Sequence, residues 1–212
     1  MTHTSFREGT VASLEEDWIV LMMATRGFND QNCNPNIKKF MQLGLEHHPV
    51  NGGTHSVGNA LSLGWQKLID KIDKDTTVRS GAMAFSDPEH VVGFVKDLVQ
   101  ADLGISVVVT GLHEGVERIC RDVGIRRHTV QYSLGVWGKT ERLPDPKILE
   151  ITTMCGHGCI PFNLVGRMAK AVQGNTLTLE KAAAELGKPC ICGAFNTVRA
   201  QRLLKEYINL RR

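Results

Sequence analysis

The chain has 212 residues, 25 Lys and Arg against 22 Asp and Glu, and a formal net charge of +3. That length suits one domain with its own core, and 42% hydrophobic with 22% charged residues excludes a disordered or fibrous chain. No apolar run approaches the roughly 20 residues that span a bilayer, and so weak a net charge gives no footing for nucleic acid. The N-terminus lacks a basic stretch followed by an apolar one, so no secretory signal is expected. Six cysteines without such a signal point to a reducing cytoplasm, where they act as core residues, metal ligands or nucleophiles.

Residues 1–15 are polar and expected to be peripheral. Residues 18–24 (WIVLMMA) form a continuous apolar run that reads as a buried strand. The turn-rich residues 25–30 follow, then a helix opening at Asn34-Pro35-Asn36 with Ile37, Phe40, Met41 and Leu45 on one face. Residues 47–59 (HHPVNGGTHSVGN) read as a loop carrying His47, His48 and His55. A helix is expected over 60–72 and a strand over 76–85. Ser86-Asp87-Pro88-Glu89 then signals a helix start, and the helix should stop at Gly104. A strand at 105–110 (ISVVVT), a helix at 114–123 ended by Gly124, and a strand at 128–136 complete a β-α-β-α-β alternation.

The expected fold class is α/β. Residues 1–146 should form a small mixed or partly parallel sheet with crossover helices. A ferredoxin-like arrangement and a small open sheet both satisfy that alternation. Residues 147–212 read as a helical region carrying cysteine-containing turns and packed on the first part, with helices near 147–154, 160–173, 178–186 and 196–210. Arg199, Arg202, Lys205, Arg211 and Arg212 make the last helix basic, which reads as a solvated face.

The chemistry is concentrated in two turns of that region. Cys155-Gly156-His157-Gly158-Cys159 precedes one helix, and Pro189-Cys190-Ile191-Cys192-Gly193 precedes another. Thiolates are favoured at helix starts, and glycines such as Gly156, Gly158 and Gly193 let main-chain N–H groups approach a sulfur or a bound group. Cys155, Cys159, Cys190 and Cys192 are therefore the candidate metal ligands, for an iron–sulfur cluster or zinc, with His157 as an acid/base or supporting group. The C-x3-C and C-x-C spacings differ from the paired C-x2-C of a zinc ribbon. Cys33 and Cys120 stand apart and read as core residues.

The Met154–Gly158 segment (MCGHG) also resembles the cysteine motif of the proline racemase and hydroxyproline epimerase family, and Pro189-Cys190 is similar to the second motif of that family. The resemblance implies a cysteine that moves a proton at a substrate α-carbon. It is confined to these two turns, and the segment between them is too short for the two-halved fold of that family.

The 128–136 segment alternates His128, Val130 and Tyr132 on one face with Thr129, Gln131 and Ser133 on the other, so His128 and Tyr132 are candidate pocket residues. Arg26, Asn29 and Asp30, with Gly111, His113 and Glu114, follow expected strands and are candidates for a substrate rim. Lys139 follows Gly138, but Ser133 occupies the position where a phosphate loop needs its first glycine, which excludes one.

These readings converge on an enzyme or enzyme-accessory protein, of lyase or isomerase type, with a Cys-ligated metal or iron–sulfur centre acting on a small molecule. One alternative is cofactor-free acid/base or nucleophilic chemistry at Cys155. Another is a metal-binding or assembly protein whose site is purely structural. No nucleic-acid or membrane partner is expected, and the basic last helix and three tryptophans leave a homo-oligomer open.

Overall fold

The computed structural model describes residues 6–210. Residues 1–5 of the polar start, and Arg211 and Arg212 of the basic end, lie outside the described residues. After a short helix α1 (Val11–Leu14), capped by Thr10, strand β1 (Trp18–Met23) enters a five-stranded sheet at the position next to one edge. Helix α2 (Asn34–Leu45) leads to β2 (Asn51–Thr54) and β3 (Gly58–Asn59). Helices α3 (Ala60–Leu63) and α4 (Trp65–Lys74) precede β4 (Ser80–Phe85). Helix α5 (Pro88–Ala101), β5 (Val107–Thr110) and α6 (His113–Val123) follow.

The strand order is β3-β2-β4-β1-β5, and every pair of neighbours is antiparallel. The protein is thus mixed α/β, but among the described residues no neighbouring strands pair in the expected parallel way. β1 and β2 run the same way with β4 between them, and β4 and β5 run the same way with β1 between them. This is the interleaving of a ferredoxin-like sheet, in which strands joined through a helix are separated by an antiparallel one. The continuous apolar run of β1 reports that both faces of the strand are covered and says nothing about strand direction.

The alternation along β1 sorts its side chains to two cores. Trp18, Val20 and Met22 join Ile37, Phe40, Met83, Phe85 and Phe94 on the face covered by α2, α4, α5 and α6. Ile19 and Leu21 face the other way, into a core built with α7 (Pro146–Thr152), α8 (Phe162–Gln173), α9 (Leu179–Gly187) and α10 (Thr197–Asn209). The C-terminal helices therefore form a third layer over the second sheet face.

Three expectations fail for identifiable reasons. Residues 47–59 are only partly a loop: 51–54 and 58–59 form β2 and β3, and β2 is buried along its whole length. Its glycines serve close approach, since a Cβ on Gly52 would meet the Trp65 ring at 2.8 Å and one on Gly53 would meet the Ile191 carbonyl at 2.8 Å. The 60–72 helix is divided at Gly64, whose φ of 80° is left-handed. The 128–136 strand does not form, and Tyr132 and Leu134 are 62% and 82% exposed. Val130, Tyr132, Leu134 and Val136 do make an apolar stripe at strand period, but it pairs with no strand and stays exposed.

The N-terminal segment is also more deeply embedded than its composition suggests. Arg199 on α10 is fully buried rather than solvated. Its guanidinium donates to Asp17 Oδ2 at 2.9 Å, to Ser13 Oγ at 3.0 Å and to the Glu8 carbonyl at 2.7 Å. Arg7 closes on the same Asp17 oxygen and donates to the Met154 carbonyl at 2.9 Å. Among the described residues, no helix is long and apolar enough to cross a membrane.

Candidate metal centre

Three separate segments build the site. The first follows α7, which is capped by Asp145 and runs into a single 3-10 turn over Thr153–Cys155. Gly156 and Gly158 then adopt left-handed backbone, with φ of 62° and 69°. That curl brings the His157 N–H to within 2.7 Å of the Cys155 carbonyl, and the His157 and Cys159 N–H groups also donate to the Cys155 sulfur. Successive N–H groups turned inward form an anion-stabilising nest. Cys155 thus lies at the end of a helical turn, not at a helix start, so the expected macrodipole support is replaced by directed N–H groups.

The second segment joins α9 to α10. The Gly193 N–H donates to the Cys190 carbonyl at 3.0 Å, and the Ala194 N–H donates to the Cys192 sulfur. Gly193 has φ of 75°, and a Cβ there would lie 2.0 Å from the carbonyl carbon of Gly52. Only a glycine lets the turn rest against β2 this closely.

The third segment is the β2–β3 hairpin. Asn59 donates from Nδ2 to the carbonyls of Lys188 at 2.9 Å and Cys190 at 2.8 Å, and Asn51 donates to the Phe195 carbonyl at 3.2 Å. The hairpin so fixed carries His55 at its tip, where its ring meets His157 edge-on with centroids 4.8 Å apart.

The four cysteines of the two turns are brought together. Cys155 accepts hydrogen bonds from Cys190 and Cys159. Cys190 Sγ is 3.8 Å from Cys192 Sγ, which is 3.6 Å from His157 Nδ1. The ligand atoms of His55, His157 and Cys192 all lie within 4.8 Å of one another, a group that could hold a metal ion. Cys155, Cys190 and Cys192 are buried, His157 and Cys159 are half-buried, and His55 is exposed, so the cluster has a closed wall and an open side.

Hydrogen bonding divides the thiols into two kinds. The bond from Cys190, followed by the N–H groups of Cys159 and His157, lowers the Cys155 thiol from 9.0 to about 5 against its burial. The bond from Cys190, with the Ala194 N–H and nearby His157, lowers Cys192 to about 7. Cys190 donates to both neighbours and is raised well above its ordinary value. Burial, with the nearby Cys155 charge, raises Cys159 to about 11. Burial and the neighbouring His157 lower His55, which keeps its imidazole neutral and free to ligate.

Other candidates stand elsewhere. Tyr132 bonds through its hydroxyl to His113 Nδ1 at 3.1 Å, and His128 bonds to Thr129, both on exposed chain. His47 pairs with Asp97 at 2.6 Å, and His48 lies beside His90 with ring centroids 5.3 Å apart. Asn29 donates to the Gly104 carbonyl at 2.7 Å and Asp30 pairs with Arg79, so these rim residues tie their loop to the α5–β5 turn and to the residue before β4. Sequence reasoning placed His55 in a histidine-bearing segment without joining it to His157, and it missed Asn51 and Asn59. The local signal for Asn51 and His55 was the Asn-Gly-Gly-Thr-His run itself, and Asn59 lies beyond it. Cys33 is buried as expected, against the Val78 carbonyl. No protein-family model, curated protein or solved structure matches the chain.

Proposed function

We propose that the protein is an enzyme of lyase or isomerase type whose Cys/His cluster holds a metal centre facing a small oxygenated substrate. One observation carries the reading. Two sulfurs at ~2.3 Å from a tetrahedral ion stand ~3.8 Å apart, and a sulfur and an imidazole nitrogen stand ~3.5 Å apart. The Cys190–Cys192 and Cys192–His157 separations are 3.8 and 3.6 Å. The donor set of thiolate and neutral imidazole suits zinc or iron.

A bound ion of this kind supplies a Lewis acid that polarises a substrate oxygen. The residues do the rest. Cys192 and His157 hold the buried side of the centre, and His55 closes it from the exposed side. The Asn59 and Asn51 amides lock the two cysteine-bearing elements to the hairpin, so the donors stand in place beforehand. Cys155, whose thiol the Cys190 bond and the neighbouring N–H groups lower to about 5, would be the group that accepts a proton. Four free thiols in such a site suit a reducing compartment, and we assign the protein to the cytoplasm.

Metal analysis with a visible spectrum, on protein purified without oxygen, tests this. Stoichiometric zinc or iron that is lost in the Cys192→Ser, His157→Ala double variant is the expected result. Iron with stoichiometric sulfide would assign an iron–sulfur cluster to the four cysteines instead. Protein that takes up no metal overturns the reading. A second reading, cofactor-free proton transfer by Cys155, is favoured by the lowered Cys155 thiol. It requires Cys155→Ser to abolish turnover of a substrate that the metal-free protein converts.

A further inference from the structure

We propose that two copies of this chain associate by exchanging residues 126–137, each arm adding a sixth strand to the open edge of the other copy's β5. The edge comes first. β5 ends the sheet order, and β1 covers only one side of it. The Met23 N–H donates to the Ser106 carbonyl at 3.2 Å, which fixes the alternation of bonded and non-bonded residues along this antiparallel pair. Val108 and Thr110 therefore bond to β1, whereas the N–H and C=O groups of Val107 and Val109 point away from it. Among the described residues no strand takes them up. All four β5 side chains are only half-buried, so both faces of the sheet are unfinished here. An open edge of this kind is a template for a further strand.

The arm supplies what the edge lacks. Val130, Tyr132, Leu134 and Val136 share one face at strand period. Among the described residues, 126–137 make no main-chain to main-chain hydrogen bond, either with one another or with the rest of the chain. Trp137 beside the stripe is 81% exposed. Tyr132 and Trp137 alone offer roughly 300 Å² to solvent. With Leu134 and the two valines the patch exceeds what a lone chain usually shows.

The occupant of the edge is the arm of a second copy, because the chain's own arm is tied elsewhere. Tyr132 Oη stands 3.1 Å from His113 Nδ1 with the rings 5.4 Å apart, and Arg127 donates to the same nitrogen at 3.0 Å. His113 opens α6, so these contacts lay the arm along that helix and off its own β5. In a two-fold pair each copy gives one arm and receives one. Two stripes and two receiving edges bury on the order of 1,200–1,600 Å², the size of a specific interface. The Cys/His cluster stays free, since it sits at the β2–β3 side of the sheet and β5 is the opposite edge. The exchange therefore does not depend on the metal reading.

Sedimentation velocity of the full chain over a range of concentrations, with hydrogen exchange followed by mass spectrometry, tests this. A dimer is expected at high concentration, with amide exchange slowed in 128–136 and in β5, and both effects lost together on dilution. The double variant Leu134→Asp, Val136→Asp charges the arm, and Val109→Pro removes an edge N–H that β1 does not use. Each should raise the dimer dissociation constant at least 100-fold. Mixed at high concentration, the two variants should recover a heterodimer, because each keeps the half that the other has lost. A chain that stays monomeric overturns the exchange, and a monomer with slowed exchange in 128–136 would show the arm folded on its own edge instead. A dimer that survives both variants overturns it as well.

Discussion

The side-chain amide of Asn59 donates to the main-chain carbonyl of Cys190 at 2.8 Å, which ties a strand at the sheet edge to the second cysteine turn. The same amide reaches the Lys188 carbonyl at 2.9 Å, while its oxygen caps α3 by accepting from the Ser62 N–H at 2.9 Å. Asn59 is 1% exposed, so water cannot replace these bonds. Asn59→Ala should cost about 2–4 kcal/mol, the loss of one cap and of buried hydrogen bonds. Asn59→Asp keeps the cap but turns an acceptor towards two carbonyls, and should be at least as damaging. Urea unfolding of the two variants checks the order, and an aspartate variant as stable as the parent would remove Asn59 from this role.

Gly193 and Gly158 both have left-handed backbone, but only one of them is hemmed in. A Cβ on Gly193 would lie 2.0 Å from one β2 backbone atom and 2.3 Å from another, whereas nothing lies within 4 Å of one on Gly158. Gly158→Ala should cost about 1 kcal/mol for its conformation alone. Gly193→Ala must push the cysteine turn off the sheet, so it should lose more than about 3 kcal/mol and most of its metal affinity. Thermal unfolding and metal uptake of the pair distinguish steric exclusion from conformational strain: equal losses would refute the contact.

The legible parts of the fold were those decided locally. Asp87 accepts from the Glu89 N–H at 2.9 Å and Thr178 from the Lys181 N–H at 3.2 Å, and both caps were visible as residue types in sequence. The covered faces of β1 were visible in its apolar run. The direction of its neighbours was not, because antiparallel and parallel strands bury the same side chains. The two cysteine turns announced themselves by composition. Their meeting with His55 did not, because Gly52 and Gly53 look alike whether a chain is loose or packed too tightly for a Cβ. Arg199 misled for a related reason: its partner Asp17 lies far along the chain, and a paired buried arginine has no local signature. The 128–136 segment has strand periodicity and an apolar face in Val130, Tyr132, Leu134 and Val136, yet it joins no sheet, because periodicity does not supply a strand to pair with.

The buried pair of Asp17 and Arg199 makes its own prediction. Both side chains are wholly inaccessible, and Arg7 shares the Asp17 oxygen. Removing one partner leaves a buried charge, so Asp17→Asn should destabilise by about 3–5 kcal/mol. The double variant Asp17→Leu, Arg199→Met should lose less than the sum of its single changes. A double-mutant cycle by urea unfolding measures that difference, and additive losses would show that the pair is not coupled.

Arg7 connects this network to the site through the Met154 carbonyl, one residue before Cys155. Glu8 adds a bond from its N–H to Thr153 Oγ1 at 3.0 Å. Arg7→Met should therefore weaken metal uptake more than its stability loss explains. Competition against a chromophoric chelator measures the affinity, and an unchanged value would limit Arg7 to a purely structural part.

The metal-free protein should carry a pH signature of its cysteine cluster. In the unfolded chain these thiols titrate near 9.0, whereas in the folded protein Cys155 falls to about 5 and Cys192 to about 7. Between those limits the unfolded chain holds more protons, so stability rises with pH across the window and is lost as pH falls towards 5. Above 9 the sign reverses, because Cys159, raised to about 11, and Cys190 keep protons that the unfolded chain releases. The cluster's own contribution should thus peak near pH 9. In Cys155→Ser the rise between 5 and 7 should flatten, since Cys192 begins to ionise only near 7. Thiolate absorbance in the ultraviolet gives a second, independent readout, with a low-pH step present in the parent and missing in that variant. A parent chain that shows no thiolate until pH approaches 9 would mean that the N–H nest around Cys155 does not hold an anion. The proton-accepting role for this sulfur would then fall with it.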